Sequence, residues 1–200
     1  MAAVQDTPAT QQALIQAANT AQQNGDSQQA WSLLLQLPLK AFGELLLDIP
    51  AQAPALQAWL PTMASDEVQR NWTGTCGMPL LLQSCDFVAS VEKACMAYQG
   101  HGIEGNILDY GCGWGRIMRL MLRYVEPEQL YGVDPWDTSI ELCQQHKCMG
   151  QFAVSDYVPT SLPFTENFDL IYAFSVFTHL SEKTANAVMK VLRTRITDTG

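Results

Sequence analysis

Residues 106–116, Asn-Ile-Leu-Asp-Tyr-Gly-Cys-Gly-Trp-Gly-Arg, constrain this chain more than any other segment. A short apolar run enters a glycine-rich turn, and helix-spaced apolar residues follow at once. Glycines let the backbone turn tightly and approach a ligand closely. The N–H groups that open the following helix favour negative charge on that ligand. Spacing then speaks against two ligand classes. A dinucleotide fingerprint needs G-x-G-x-x-G, and Arg116 stands where its third glycine belongs; no Gly-Lys-Ser/Thr follows to make a Walker loop. Asp109, two residues before Gly111, suits a cationic group better than a pyrophosphate.

From about residue 105 short apolar runs alternate with amphipathic stretches: 106–109, 116–124, 130–134, 138–146, 151–155, 168–174 and 181–196. They read as strand, helix, strand, helix, strand, strand and helix. That order predicts an α/β fold, a Rossmann-like doubly wound and mostly parallel sheet. In the first helix Ile117, Leu120, Met121 and Tyr124 share the inner face, which places Arg116, Arg119 and Arg123 outside. Thr138 and Glu141 have the spacing of a capping box, and Ser181 that of an N-cap followed by Glu182. Upstream, residues 1–69 read as a helical extension broken by Pro and Gly, and 70–77 as a loop with two glycines. Residues 79–98 read as a helix with Leu81, Cys85, Val88, Val91 and Cys95 on one face. Three regions are expected: 1–69, 70–104 and 105–200.

With 48 % hydrophobic and 16 % charged residues the chain is no disordered tail. Its net charge of −9 leaves no broad basic patch, so a nucleic-acid partner is not expected. Residues 70–125 hold five bases against four acids, whereas 1–69 and 126–200 are each acidic, so an anionic part of a ligand belongs in the middle segment. No apolar run is long enough to span a membrane, and residues 1–12 lack the basic and apolar regions of a signal peptide. The six cysteines form no C-x-x-C pair; reduced thiols and a cytoplasmic location are expected. Cys143, His146 and Cys148 offer three donors but not the two-plus-two pattern of zinc sites, and no metal is expected.

Asp-x-Gly-x-Gly-x-Gly after a strand resembles motif I of the class I S-adenosylmethionine-dependent methyltransferases. The resemblance covers roughly residues 105–200, and more faintly 70–98. The second strand ends in Asp134, as the family's second strand ends in an acid, and the third in Ser155-Asp156. Ser175-Val176-Phe177-Thr178-His179-Leu180 after the fourth looks like the post-strand segment of the small-molecule methyltransferases. The resemblance implies S-adenosyl-L-methionine as cofactor. It places Asp109, Tyr110, Gly111, Cys112, Gly113, Gly115 and Arg116 near the methionine part, and Asp134, with Pro135 beside it, on the ribose hydroxyls. Asp156 would take the adenine amine, with Tyr110, Trp136 or Tyr157 packed on the ring and Phe174 and Ser175 closing the site. Independently of any family, all three acids fall at strand C-terminal ends, where open parallel sheets bind ligands.

Simpler readings stand beside these. Asp134 also fits a helix-opening acid, and Asp156 a solvated one. Arg116 opposes a helix dipole, so it either meets a bound carboxylate or an anionic substrate, or is a solvated arginine. His179 is the one candidate catalytic base, against a loop residue that helps cap the last helix. Trp72, Thr73 and Gly74 read as a cover over the cofactor or as core packing. The expected reaction is in-line methyl transfer to an oxygen or nitrogen acceptor, with carbon a further option, of a small molecule, sugar or lipid intermediate. Phe174-Ser175-Val176-Phe177 stands where the Asn/Asp-Pro-Pro-Tyr signature of base and glutamine methylation would be. Two alternatives are a catalytically inactive cofactor-binding regulatory module and an NAD-binding oxidoreductase. The family's sheet has seven strands and this sequence supplies four, so residues 1–200 are expected to be part of a longer enzyme. The fourth strand would then be an exposed edge, making the chain alone unstable or aggregation-prone.

Overall fold

A computed structural model describes residues 7–198 and 200, in two compact units within 1–85 and 86–200. The first unit is helical: α1 (Pro8–Gln23), α2 (Ser27–Leu34), α3 (Leu39–Leu47), α4 (Pro54–Trp59), α5 (Asp66–Thr73) and the opening of α6 (Gly77–Tyr98). Side chains of Thr7, Asp26 and Ser65 accept N–H bonds at the starts of α1, α2 and α5. Trp31 anchors the core, edge-on to Phe42 and Trp59. The buried Asn19 of α1 is satisfied across the unit: its carboxamide oxygen accepts the N–H groups of Ala55 (3.0 Å) and Leu56 (3.4 Å), capping α4.

The second unit carries the rest of α6, then β1 (Ile107–Tyr110), α7 (Met118–Met121), β2 (Leu130–Asp134), α8 (Asp137–Gln145), β3 (Gln151–Val154), β4 (Leu170–Tyr172) and α9 (Glu182–Arg193). The sheet order is β3-β2-β1-β4 and every pair is parallel. This is the expected Rossmann-like α/β arrangement. β1, central and wholly buried, is nearly all apolar, as a strand covered on both faces must be. Leu108, Tyr110, Tyr131 and Val133 pack with Phe168 and with Val188, Val191 and Leu192 of α9. α7 seats on β2 because Gly132 is bare: a Cβ there would stand 2.6 Å from the Met118 sulfur. Ser181 caps α9, accepting from Thr184 N at 3.2 Å, with Glu182 in the first turn and Lys190 and Arg193 in the last. Beyond α9 the chain returns to the sheet, where Phe168 and Ile196 form a single parallel bridge.

Several local expectations give way. Residues 70–73 are the end of α5, not loop; the Ser65 cap, Asp66 and Glu67 in the first turn and the Arg70–Asp66 ion pair start a helix that only Gly74, at φ 80°, stops. The first helix of the sheet unit shrinks to Met118–Met121, since Gly113 and Gly115 have positive φ and the turns after Met121 tighten to i→i−3 bonds. Arg119 is not outside: it is buried. The capping box at Thr138 does not form, because α8 already starts at Asp137, whose carboxylate takes the Thr138 N–H at 2.8 Å. β4 is shorter than expected, leaving Phe174 and Ser175 in the loop beyond it.

Candidate functional site

The chain leaves β1 still paired to β2: Gly111 and Cys112 N–H both donate to Val133 O, at 2.7 and 3.0 Å. It then turns through Gly111, Gly113 and Gly115 at φ 80°, 54° and 77°, the left-handed region that side chains resist. Val176, in the loop after β4, fills the place a Gly111 Cβ would take. Carbonyls of the turn are held from beneath. Cys143 Sγ lies 3.3 Å from Gly113 O, and the Arg119 guanidinium, stacked on the Trp114 ring, donates to Trp114 O at 2.8 Å.

Asp134 closes β2 and faces this turn. One carboxylate oxygen accepts Gly113 N–H at 3.0 Å and the other Trp136 N–H at 2.9 Å. A carboxylate has about four lone-pair sites, so acceptor capacity remains for a ligand. Asp109 lies deeper, 2 % exposed and in register with Tyr172 of β4. Burial pushes its pKa up to about 7; the Tyr172 hydroxyl lowers it, the Asp134 charge raises it and Arg116 lowers it. The Arg116 guanidinium sits 4.6 Å over the Phe174 ring and is partly buried, which lowers its own pKa. Two buried polar side chains stand beside these groups, Tyr172 against Asp109 and Ser155 against Tyr110.

The structure thus brings Asp109, Tyr110, Gly111, Cys112, Gly113, Gly115, Arg116 and Asp134 to one end of the sheet. Pro135 and the exposed Trp136 follow β2, and the exposed Asp156 and Tyr157 follow β3. Ser175 stands at φ 60° after β4, a conformation costly for a residue with a Cβ. His179 is exposed in the 3-10 turn Phe177–His179 and touches none of the buried acids through any described hydrogen bond. Tyr172, Arg119, Cys143 and Val176 are site contacts that the sequence reading did not place at the glycine turn. Only Tyr172 carried a signal, its strand position two residues before Phe174. A groove of about 540 Å³ runs between β4 and α9, past Ile171, Tyr172, Phe177 and Met189. No group of three His, Cys, Asp or Glu among the described residues is arranged to hold a metal ion.

A family profile described as a methyltransferase domain matches residues 107–200. Comparison with curated proteins gives no match. Among solved structures, Streptomyces venezuelae DesVI superposes with TM-score 0.52 at 10 % identity, over 69 % of this chain and 55 % of that one. An S-adenosylmethionine-dependent methyltransferase from Clostridium acetobutylicum gives 0.50 at 15 %, over 67 % and 52 %. The plantazolicin methyltransferase BpumL, solved with a desmethyl-plantazolicin analogue and S-adenosylhomocysteine, gives 0.52 at 14 %, over 84 % and 57 %. Identities this low establish the shared fold. The chain spans about half the length of the solved structures it resembles.

Proposed function

We propose, for a chain whose residues 107–200 belong to the class I S-adenosylmethionine-dependent methyltransferase family, that it binds S-adenosyl-L-methionine at the glycine turn and passes the methyl group to a small-molecule acceptor. The observation that carries this reading is the Asp134 carboxylate held against Gly113 N–H at the end of β2. An acid there accepts the two ribose hydroxyls while the glycine turn admits the methionine part. The tight turn through Gly111, Gly113 and Gly115 suits a ligand that packs against backbone along that end of the sheet. Asp156, with Trp136 and Tyr157 exposed beside it, would receive the adenine. The cofactor's ammonium and sulfonium favour the ionised Asp109, and its carboxylate favours Arg116.

The bound cofactor supplies an electrophilic methyl on a good leaving group. What remains for the protein is to hold donor and acceptor in line and to exclude water. A base is needed only where the acceptor must lose a proton, and His179 is the residue proposed for it. Isothermal titration tests the reading. S-adenosylhomocysteine should bind and NAD should not, and Asp134→Ala should weaken binding by roughly tenfold or more, the loss of one charge-assisted bond of about 1.5–3 kcal/mol. Binding of NAD instead would restore the oxidoreductase alternative. Binding without turnover on a panel of hydroxyl and amine acceptors would favour the regulatory module.

A further inference from the structure

α8 ends in a left-handed cap. Lys147 has φ 53°, its N–H donates to Gln144 O at 3.1 Å, and Cys148 N–H donates to Cys143 O at 2.9 Å. This closure brings the side chain just past the cap onto one in the last turn, a contact usually made by two apolar residues. Here both are cysteines, and both thiols are free. The pair also touches the glycine turn. Cys143 Sγ lies 3.3 Å from Gly113 O and Cys148 Sγ 3.6 Å from Trp114 O. A Cβ on Gly115 would stand 2.9 Å from Cys148 Sγ and 3.4 Å from Cys143 Sγ. Of the two residues Cys148 is the less buried.

We propose that Cys143 and Cys148 are a modification site, a thiol pair that a peroxide converts to a disulfide and that thereby loosens the glycine turn. Cys148 sulfur attacks one peroxide oxygen; the S–O bond forms, the O–O bond breaks and the other oxygen leaves as water. Cys143 sulfur then attacks Cys148 sulfur; the S–S bond forms, the S–O bond breaks and a second water leaves with the Cys143 proton. The two sulfurs lose two electrons to the peroxide, and two thiols plus one peroxide become one disulfide and two waters. Oxidation deletes two of the three S–H donors that face the Gly113 and Trp114 carbonyls, leaving the longer contact of Cys112 Sγ to Gly113 O at 3.7 Å. Gly113 N–H in turn holds Asp134, so a shift of the turn reaches the acid on β2. The neighbouring Arg119 guanidinium favours the thiolate of both cysteines, although the Cys112 thiol beside Cys143, the Cys143 thiol beside Cys148 and burial raise them overall, which makes the reaction slow at neutral pH. The effect on cofactor binding rests on the proposed function; the disulfide itself does not.

Trypsin cleaves after Lys147, so a Cys143–Cys148 bond would join two otherwise separate peptides. The chain is treated with hydrogen peroxide, alkylated, digested and mapped by mass spectrometry. A parallel sample is read by hydrogen exchange over 111–116 and by titration with S-adenosylhomocysteine. The joined peptide should appear, exchange in the turn should speed up, and affinity should fall at least about fivefold, the lower end of typical site-to-site coupling. Dithiothreitol should reverse all three. Cys148→Ser, and Cys143→Ser as a second variant, should show the same exchange and affinity before and after peroxide, each against its own untreated sample, whereas Cys76→Ser should remain sensitive. Cysteines 143 and 148 left alkylatable, or paired with other cysteines, would overturn the proposal, as would the mapped disulfide with unchanged exchange and affinity. A reduced chain that binds no S-adenosylhomocysteine would count against the cofactor reading, and the mapping and exchange would still decide the thiol pair.

Discussion

Asp109 shows how far one residue's burial can set a property of the whole site. Its carboxyl has an upward-shifted pKa of about 7, first because it is buried and then because Asp134 is negative nearby. The folded state therefore holds a proton that the unfolded chain gives up at an ordinary carboxylate pKa. From the unfolded pKa up to about 7 the native state binds more protons, so stability falls as pH rises through that window and levels off above it. A cationic ligand has the opposite preference, because it favours the ionised carboxylate. Affinity for S-adenosylmethionine should rise with pH up to about 7 and then flatten. Asp109→Asn keeps the shape and removes the titration. It should abolish the fall in stability across the window, measured by urea unfolding at several pH values, and flatten the affinity profile. An Asn variant with the parent's pH dependence in both measurements would show that another group titrates.

At the level of elements, what was legible in the sequence was what local chemistry forces. The strand–turn–helix at Asn106–Arg116 was plain because only glycines accept three positive φ angles in five residues. Ser181 was plain because an N-cap is a local bond. Arg119 was misplaced because helical periodicity puts charge outside; the Trp114 ring and carbonyl that draw it inward are tertiary partners. The Cys143–Cys148 contact was read only as metal spacing, since the cap that creates it depends on a non-glycine left-handed residue, Lys147. α5 was missed because the glycines at 74 and 77 outweighed the start signals at Ser65–Glu67. Asn19 is another tertiary contact, a helix cap supplied from a different helix. α4 has six residues and no cap of its own, so its first N–H groups depend on this carboxamide. Asn19→Ala should orphan one buried and one part-buried donor and cost about 1–3 kcal/mol. Denaturant unfolding monitored by tryptophan fluorescence would register it, and a loss below about 0.5 kcal/mol would mean that α4 finds another cap.

At the scale of the whole molecule the net charge of −9 becomes a statement about the ligand. The acidic excess lies in 1–69 and 126–200, and Asp109, Asp134 and Asp156 cluster at one sheet edge within a segment of near-zero net charge and its acidic neighbour. Such a field draws in a cation faster than a neutral molecule of the same shape. S-adenosylmethionine carries a methylsulfonium where S-adenosylhomocysteine has a thioether, so the two ligands differ by one methyl group and one charge. Raising ionic strength from about 0.01 M to 1 M shortens the screening length from about 30 Å to 3 Å. The association rate of the sulfonium ligand should fall over that range, while that of the thioether changes little, and the dissociation rates of both should stay nearly constant. Stopped-flow binding at several salt concentrations measures this directly. Parallel slopes for the two ligands would mean that the distributed acidic charge does not steer the cofactor, and that Asp109 and Asp134 act on it only after contact.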